Sequence, residues 1–334
     1  MADPYQQVIG VLAKCRRVLV TTHARMDGDA VGSCAALVIA MRRRNIDGQV
    51  VLLTELPRKY AFVFNENSIP YRDVLNGWPD ECRLERFDAL LVVDTGTWSQ
   101  LPGLRERLGG WSGKTVVIDH HLTQEAWGDV RLVNSDAAAS GQVVADLLDR
   151  WGVQIDRDIA TALYAAVASD TGWFQFSNTR PATLRLAARL MECGVDTDGM
   201  YQAIYQNERA ERLALQTRAQ QSLELLADGR LALMKLRQLD FQQTHASMAD
   251  TENIVNIPLQ IGTVEVSMFM VEEKPDTLVR VSLRSKGRVD VARFAERFGG
   301  GGHARAAGLK LEMSLTQALT HAAGAMEDLL KGQK

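Results

Sequence analysis

Residues 17–29 read RVLVTTHARMDGD. Arg17–Thr22 is a short, β-branched apolar run, the pattern of a buried strand. It passes directly into His23, Asp27 and Asp29, and Ala30–Arg44 then carries apolar residues at helical spacing. Strand, polar turn and helix form the opening unit, and the unit recurs. Gln49–Thr54 (QVVLLT), Asp88–Asp94 (DALLVVD) and Thr115–Asp119 (TVVID) are further apolar strands. Gln142–Trp151 and Asp158–Ala168 are apolar at helical spacing. Fully apolar strands separated by helices predict a parallel sheet in an α/β fold.

Ligands of an open parallel sheet bind beyond the carboxyl ends of its strands. The first strand leads there into His23, Asp27 and Asp29. Another ends on Asp94, before Thr95-Gly96, and another on Asp119-His120-His121. These three clusters converge on topology alone. Asp170, in Ser169-Asp170-Thr171-Gly172, follows the Asp158–Ala168 helix and joins them if that helix packs at the same edge. Carboxylates gathered in one place repel, and stay ionised together when cations neutralise them. Imidazoles mixed with carboxylates suit Mn²⁺, with Mg²⁺ or Co²⁺ as alternatives, whereas structural zinc prefers thiolates. Two metals about 3.5–4 Å apart can share a hydroxide and clamp phosphoryl oxygens. Singly, each signal is weak. A strand-terminal Asp is commonly a turn former, a lone His a core residue, and Gly28 and Gly32 can serve only a tight turn. The combination, in this order, carries the reading.

A chain of 334 residues is long enough for roughly two domains. With 46% hydrophobic and 24% charged residues it has the composition of a soluble globular protein. The net charge of −3 argues against tracking along duplex nucleic acid. The four cysteines form no C-x-x-C pair, which fits a reducing compartment. Residues 1–14 lack a signal-peptide pattern, and stretches such as Cys34–Met41 fall short of the about 20 residues of a membrane span. A cytoplasmic protein without membrane association is expected. Beyond residue 180, Pro181–Glu192 and Met200–Leu226 read as helices. Shorter, alternating strands follow at Leu231–Leu236, Thr263–Glu272 and Thr277–Arg284, then a helix at Leu315–Leu330. The expected organisation is a catalytic domain at 1–185, a helical linker at 186–215 and a smaller mixed α/β domain at 216–334.

Four segments resemble the four motifs of the DHH phosphoesterases. They are His23-x3-Asp27-Gly28-Asp29-Ala30-x-Gly32-Ser33, Asp94-Thr95-Gly96, Asp119-His120-His121 and Ser169-Asp170-Thr171-Gly172. Phe298-Gly299-Gly300-Gly301-Gly302-His303-x3-Ala307-Gly308 resembles the glycine-rich motif of the companion DHHA1 domain. Ser282-Leu283-Arg284-Ser285 with Val289-Asp290-Val291 resembles the strand before it. The similarity runs through nearly the whole chain and is greatest to the bifunctional oligoribonucleases and PAP phosphatases, the nano-RNases.

That resemblance implies roles. His23, Asp27 and Asp94 would bind one metal; Asp29, Asp94, His120 and Asp170 would bind the other, with Asp94 bridging. Asp119 would orient an imidazole, and His121 would lie near the phosphate as hydrogen-bond donor or acid. Arg284, Ser285, Gly300, Gly301, Gly302 and His303 would hold a substrate phosphate across a cleft from the metals, glycine backbone N–H groups approaching the anion closely. The implied activity is two-metal hydrolysis of short oligoribonucleotides and 3′-phosphoadenosine 5′-phosphate (PAP), by a homodimer. The alternatives are a soluble phosphodiesterase for pApA or cyclic dinucleotides, a single-strand exonuclease, and a non-catalytic nucleotide-binding protein.

One departure stands out: Gln142 falls where relatives often have Glu opening a helix, and an effect on packing or capping is expected. Four weaker signals have two readings each. Arg42-Arg43-Arg44 is a solvated helix end or a phosphate patch. Trp173 and Phe174 are core aromatics or a base-stacking pair. Asn253 and Asn256 form a turn or face the cleft, and His245 reads as a surface residue.

Overall fold

The structure, a computed structural model, describes residues 3–65 and 69–332. It divides into two compact units, residues 1–207 and 208–334.

The first unit contains strands β1 (Arg17–Thr22), β2 (Asp47–Leu52), β3 (Tyr71–Asp73), β4 (Ala89–Val93), β5 (Lys114–Asp119) and β6 (Val130–Val133). Its helices are α1 (Pro4–Leu12), α2 (Gly28–Arg43), α3 (Ala61–Asn65), α4 (Leu104–Arg107), α5 (Ser140–Trp151), α6 (Arg157–Asp170), α7 (Pro181–Glu192) and α8 (Thr197–Tyr205). The sheet has the order β3-β2-β1-β4-β5-β6, and every pairing is parallel. Its direction of growth reverses between β1 and β4, the switch point at which such sheets open a crevice. Both faces are buried, which explains the unbroken apolar strands. Val18, Val20, Leu91 and Val93 face the core that includes residues of α1, α2, α5 and α6. Leu19, Leu90 and Val92 face a second layer with Phe87, Leu101 and Leu104.

Helices α2 and α6 approach very closely. A Cβ on Gly32 would stand 2.3 Å from Ala162 O, and one on Gly28 1.9 Å from Ser169 Oγ. Neither residue has a positive φ, so these glycines serve helix contact and not the tight turn considered above.

The second unit contains β7 (Glu224–Leu226), β8 (Leu231–Leu236), β9 (Val266–Lys274), β10 (Leu278–Ser285), β11 (Gly301–His303) and β12 (Ala306–Leu311). Helices α9 (Ala210–Gln221), α10 (Gln238–Thr244), α11 (Val291–Glu296), α12 (Leu315–Ala318) and α13 (Gly324–Gly332) accompany them. The sheet order is β11-β12-β10-β9-β8-β7; only β8 and β9 pair in parallel. One face packs with residues of α11, α12 and α13, the other with Leu215 and Ala219 of α9 and Phe241 of α10.

The expected fold class holds: a parallel-sheet α/β unit precedes a mixed one. Details differ. Met200–Leu226 is not one helix; it breaks at Gln206, and Glu224–Leu226 pairs as a strand. Residues 186–207, read as part of a linker, lie in the first unit, where Ala187, Leu190, Met200 and Ile204 join its core. The C-terminal helix is interrupted by a π turn at Leu319–Ala323. Among the described residues no helix is long and apolar enough to cross a membrane.

Candidate active site

The carboxyl edge of the first sheet gathers three imidazoles and five carboxylates. β1 delivers His23, 8% exposed. Asp27 is the N-cap of α2: its Oδ1 accepts from Asp29 N at 3.0 Å and Ala30 N at 3.1 Å. Asp29, in the first turn of α2, is buried. Asp94 follows β4 with φ of 63°, in the left-handed region that Asp tolerates better than most residues. Asp119 ends β5 and is fully buried. Asp170 is the last residue of α6, whose helix runs two residues further than its apolar spacing predicts.

These groups face one another at the spacing of ligands around shared cations. Asp94 Oδ2 is 3.4 Å from His23 Nε2, and Asp94 Oδ1 is 3.7 Å from His120 Nε2. His120 Nε2 is also 3.7 Å from Asp29 Oδ2 and from Asp170 Oδ2. Donor atoms bound to one ion at about 2.0–2.2 Å stand roughly 3–4 Å apart. The ligand atoms of His23, Asp27 and Asp94 lie within 4.8 Å of one another, as do those of Asp29, His120 and Asp170, and those of Asp94, His120 and His121.

His120 supplies the sharpest test of fit. Its Nδ1 lies 3.3 Å from Ala137 O, which can only accept, so Nδ1 carries the proton. Burial, then the neighbouring His121, pushes its pKa down and favours the neutral ring. Nε2 therefore presents a lone pair, is buried, and has no hydrogen-bond partner. Around it stand three carboxylate oxygens. Four acceptors converge with no donor among them, an arrangement that a cation satisfies and a hydrogen bond does not.

The electrostatics agree. Burial, then Asp94, Asp170 and Asp27, push Asp29 well above the usual carboxylate range. Burial and Asp27 do the same to Asp94. Burial and Asp27 raise Asp170 to about 6. Burial pushes His23 down, leaving it in its ligand form. The protein spends two backbone N–H groups on this repulsion: Ser140 N donates to Asp29 Oδ2 at 2.6 Å and Gly141 N to Asp29 Oδ1 at 2.8 Å. Both belong to the first turn of α5, where the helix dipole favours negative charge.

Asp119 is placed differently. It accepts from His120 N (2.8 Å), His121 N (3.2 Å), His121 Nδ1 (2.7 Å) and the Gln124 side chain. Burial alone would raise its pKa; the His121 and Gln124 bonds outweigh this and hold it low. In return its hydrogen bond raises the pKa of His121, which is about half exposed.

In the second unit, Arg284 and His303 both pair with Ala306, on β10 and β11 respectively. They share a row on one sheet face, two strands or about 10 Å apart, with only an alanine between. Arg284 is half-buried and meets no carboxylate within ion-pair distance among the described residues. Burial lowers its pKa. Gly300 and Gly302 abut Gly308 O and Ala306 O, at 2.4 Å from the position of an added Cβ; Gly301 has open space. Ser285 departs from expectation. It is buried on the opposite face, and its hydroxyl donates to Val289 O at 2.7 Å. Alternation along β10 removes it from the set around Arg284.

The sequence reading missed Ser140, Gly141 and Gln124. A Ser-Gly pair opening a helix is visible in sequence, but its partners 111 and 112 residues away are not. Gln142 accepts from Ala138 N and Thr183 Oγ1, so it braces the start of α5, as capping would. Arg43 pairs with Asp156, and Arg44 binds the carbonyls of Trp151 and Gly152, favouring the helix-end reading. Trp173 and Phe174 pack on the core beside Tyr164. Asn253 begins a 3₁₀ turn with φ of 62°, accepting from Asn256, and His245 ends α10.

Residues 17–167 match the DHH family, N-terminal domain, and residues 231–332 match the DHHA1 domain. The chain belongs to the DHH/DHHA1 phosphoesterases. This DHH protein is 29% identical over 302 residues to the bifunctional oligoribonuclease and PAP phosphatase NrnA of Thermus thermophilus, covering 90% of this chain and 86% of the relative. It is 28% identical over 305 residues to the probable protein of the same name from Streptococcus mutans, covering 89% and 91%. An exopolyphosphatase-related protein from Bacteroides fragilis shares the fold, with a TM-score of 0.87 and 22% identity over 98% of this chain and 97% of that one. As a DHH phosphoesterase the chain is a hydrolase of phosphate esters.

Proposed function

We propose that the chain uses two divalent cations, Mn²⁺ foremost, to remove the 3′-phosphate of PAP and to release mononucleotides from short oligoribonucleotides. The convergence of four acceptors at His120 Nε2 carries the metal half of this reading. The similarity to proteins named oligoribonuclease and PAP phosphatase supports the substrate half. His23, Asp27 and Asp94 would hold one cation, and Asp29, Asp94, His120 and Asp170 the other, with the two oxygens of Asp94 serving different sites. Bound there, the cations would supply Lewis acidity at the phosphoryl group and lower the pKa of water.

The protein's own groups act around that chemistry. Asp119 holds His121 by Nδ1 and favours its protonated form. His121 Nε2 can then bond a phosphoryl oxygen or pass its proton to the departing ribose oxygen as the P–O bond breaks and water oxygen bonds to phosphorus. Arg284, His303 and the Gly301 backbone are proposed to hold a substrate phosphate. Arg284 NH1 donates to Leu283 O at 2.9 Å, and with no carboxylate partner among the described residues the guanidinium keeps its remaining N–H groups for an anion.

The test is a panel on metal-loaded protein: PAP, RNAs of two to five nucleotides, pApA, a cyclic dinucleotide and pyrophosphate. Fastest turnover on PAP and the short RNAs is expected. Preference for pApA or the cyclic dinucleotide would move the substrate within the same chemistry. Bound metal without hydrolysis of any ester would overturn the reading in favour of a nucleotide-binding protein.

A further inference from the structure

Gln124 lies in the loop after Asp119-His120-His121, and its amide is bonded at both ends. Oε1 accepts from Arg131 NH2 at 2.8 Å. Nε2 donates to Asp119 Oδ2 and, at 3.1 Å, to His121 O. The partners fix which way the amide points: a guanidinium only donates, and an ionised carboxylate only accepts. Asp119 Oδ1 is already committed to His120 N, His121 N and His121 Nδ1. Gln124 is thus the side chain seen on Oδ2.

Space for this amide is made by a residue of another strand end. A Cβ on Gly96 would stand 2.0 Å from Gln124 Oε1. Gly96 has no positive φ, so the close approach, not its backbone conformation, calls for glycine. Its carbonyl also accepts Glu125 N at 3.0 Å and Trp127 Nε1 at 2.9 Å, pinning the loop just after Gln124. The glycine of the Asp94-Thr95-Gly96 segment thereby acquires a reason in the Asp119-His120-His121 segment.

We propose that Gln124 is a positioning residue: through Asp119 it anchors the His121 ring by its Nδ1–H and aims Nε2 at substrate, with Arg131 bracing the amide. Without the Gln124 N–H, the buried Asp119 Oδ2 loses its donor, and the carboxylate must turn or find another. Either response loosens the imidazole that depends on it. The inference rests on the reading that His121 serves the scissile phosphate.

The test uses Gln124→Glu, which keeps an oxygen for Arg131 but removes the donor to Asp119, and Gln124→Met, which removes the donor without adding charge. Turnover and KM on PAP, bound manganese, and the His121 tautomer by long-range ¹H–¹⁵N correlation in the Mg²⁺-loaded protein, at a pH high enough for that ring to be neutral, are measured. Both variants should lose roughly 10- to 100-fold in kcat, the scale of a buried hydrogen bond left unmade, with KM within about twofold. Two metals should stay bound, and the single Nδ1–H tautomer of His121 should be replaced by a mixture. An unchanged tautomer with unchanged kcat would overturn the proposal. So would a loss of kcat in step with lost manganese and an unaltered tautomer, which would make Gln124 a residue of metal retention. A wild-type protein inert on every ester, whose His121 tautomer still changes in both variants, would sink the phosphoesterase assignment of His121 and leave its coupling to Gln124 standing.

Discussion

Ser140 donates its hydroxyl to Asp94 Oδ1 at 2.9 Å, so the carboxylate that faces both His23 and His120 is oriented from the first turn of α5. Ser140→Ala should leave Asp94 free to rotate. Binding of Mn²⁺, followed by calorimetry, should weaken roughly tenfold, the lower end for a hydrogen bond to a charged group. Affinity equal to wild type would show that the sheet alone orients Asp94.

Asp94→Asn should abolish hydrolysis and empty both cation positions. Asn is preferred to Ala for this test because it also tolerates the left-handed φ of 63°. Burial and Asp27 penalise the charged form of Asp94 in the metal-free protein. Relief of that penalty should raise the metal-free melting temperature by about 2–8 °C, from ~1–2 kcal/mol. Near-normal turnover with two bound metals would refute the bridging role.

Chelation should stop turnover, and Mn²⁺ should restore it better than Mg²⁺ or Co²⁺. The same cation should raise the melting temperature of the wild type, because it binds folded and not unfolded chains. Full activity after exhaustive chelation would refute the metal mechanism; better rescue by Mg²⁺ would change only the ion.

Arg284→Ala should lower catalysis on PAP and short RNA by roughly 10- to 100-fold, the loss of a charged hydrogen bond to phosphate. Bound metal should not change. Bis-p-nitrophenyl phosphate has no second phosphate to hold, so its hydrolysis should fall much less. Equal losses on both would place Arg284 at the reacting phosphoryl group.

Asp88 Oδ2 accepts from Arg16 N at 2.7 Å and Arg17 N at 2.9 Å where β1 begins. Those two bonds, from Arg17 and then Arg16, hold its pKa below the ordinary value. A depressed folded pKa contributes stability that is complete above the unfolded value, about 3.9, and lost as pH falls through the folded one. Asp88→Ala should therefore cost about 1 kcal/mol in urea unfolding at pH 7, and the gap should narrow below about pH 4. A gap independent of pH would mean that the side chain acts through packing.

Strand ends were legible because an apolar run that stops on Asp or His is a local pattern: Asp94, Asp119 and His23 needed only the topology rule. Asp170 was legible as a residue but not as a helix terminus, since Ser169 and Asp170 break the apolar spacing that α6 continues through hydrogen bonding. Ser285 was misplaced because a motif records neighbours in sequence, while alternation along β10 sends neighbours to opposite faces. Gln124 carries no signal of its own, and Ser140 signals only the opening of a helix; the meaning of both lies in which atom they reach. Residues 186–207 resemble a connector because they fall between the two strand-bearing segments, and only the seating of Leu190 and Ile204 shows what they cover.

The strand order β3-β2-β1-β4-β5-β6 also fixes when the site can exist during folding. Asp29 meets Gly141 across 112 residues of chain, and His120 meets Asp170 only after α6 has docked. Contacts this distant close late, since parallel pairing must pay for long loops first. The carboxylates are therefore kept apart while the chain is searching and brought together once the sheet already holds them. A cation that binds so late a structure cannot act as a nucleus. It would act as a latch, leaving the rate of folding almost unchanged and slowing the rate of unfolding.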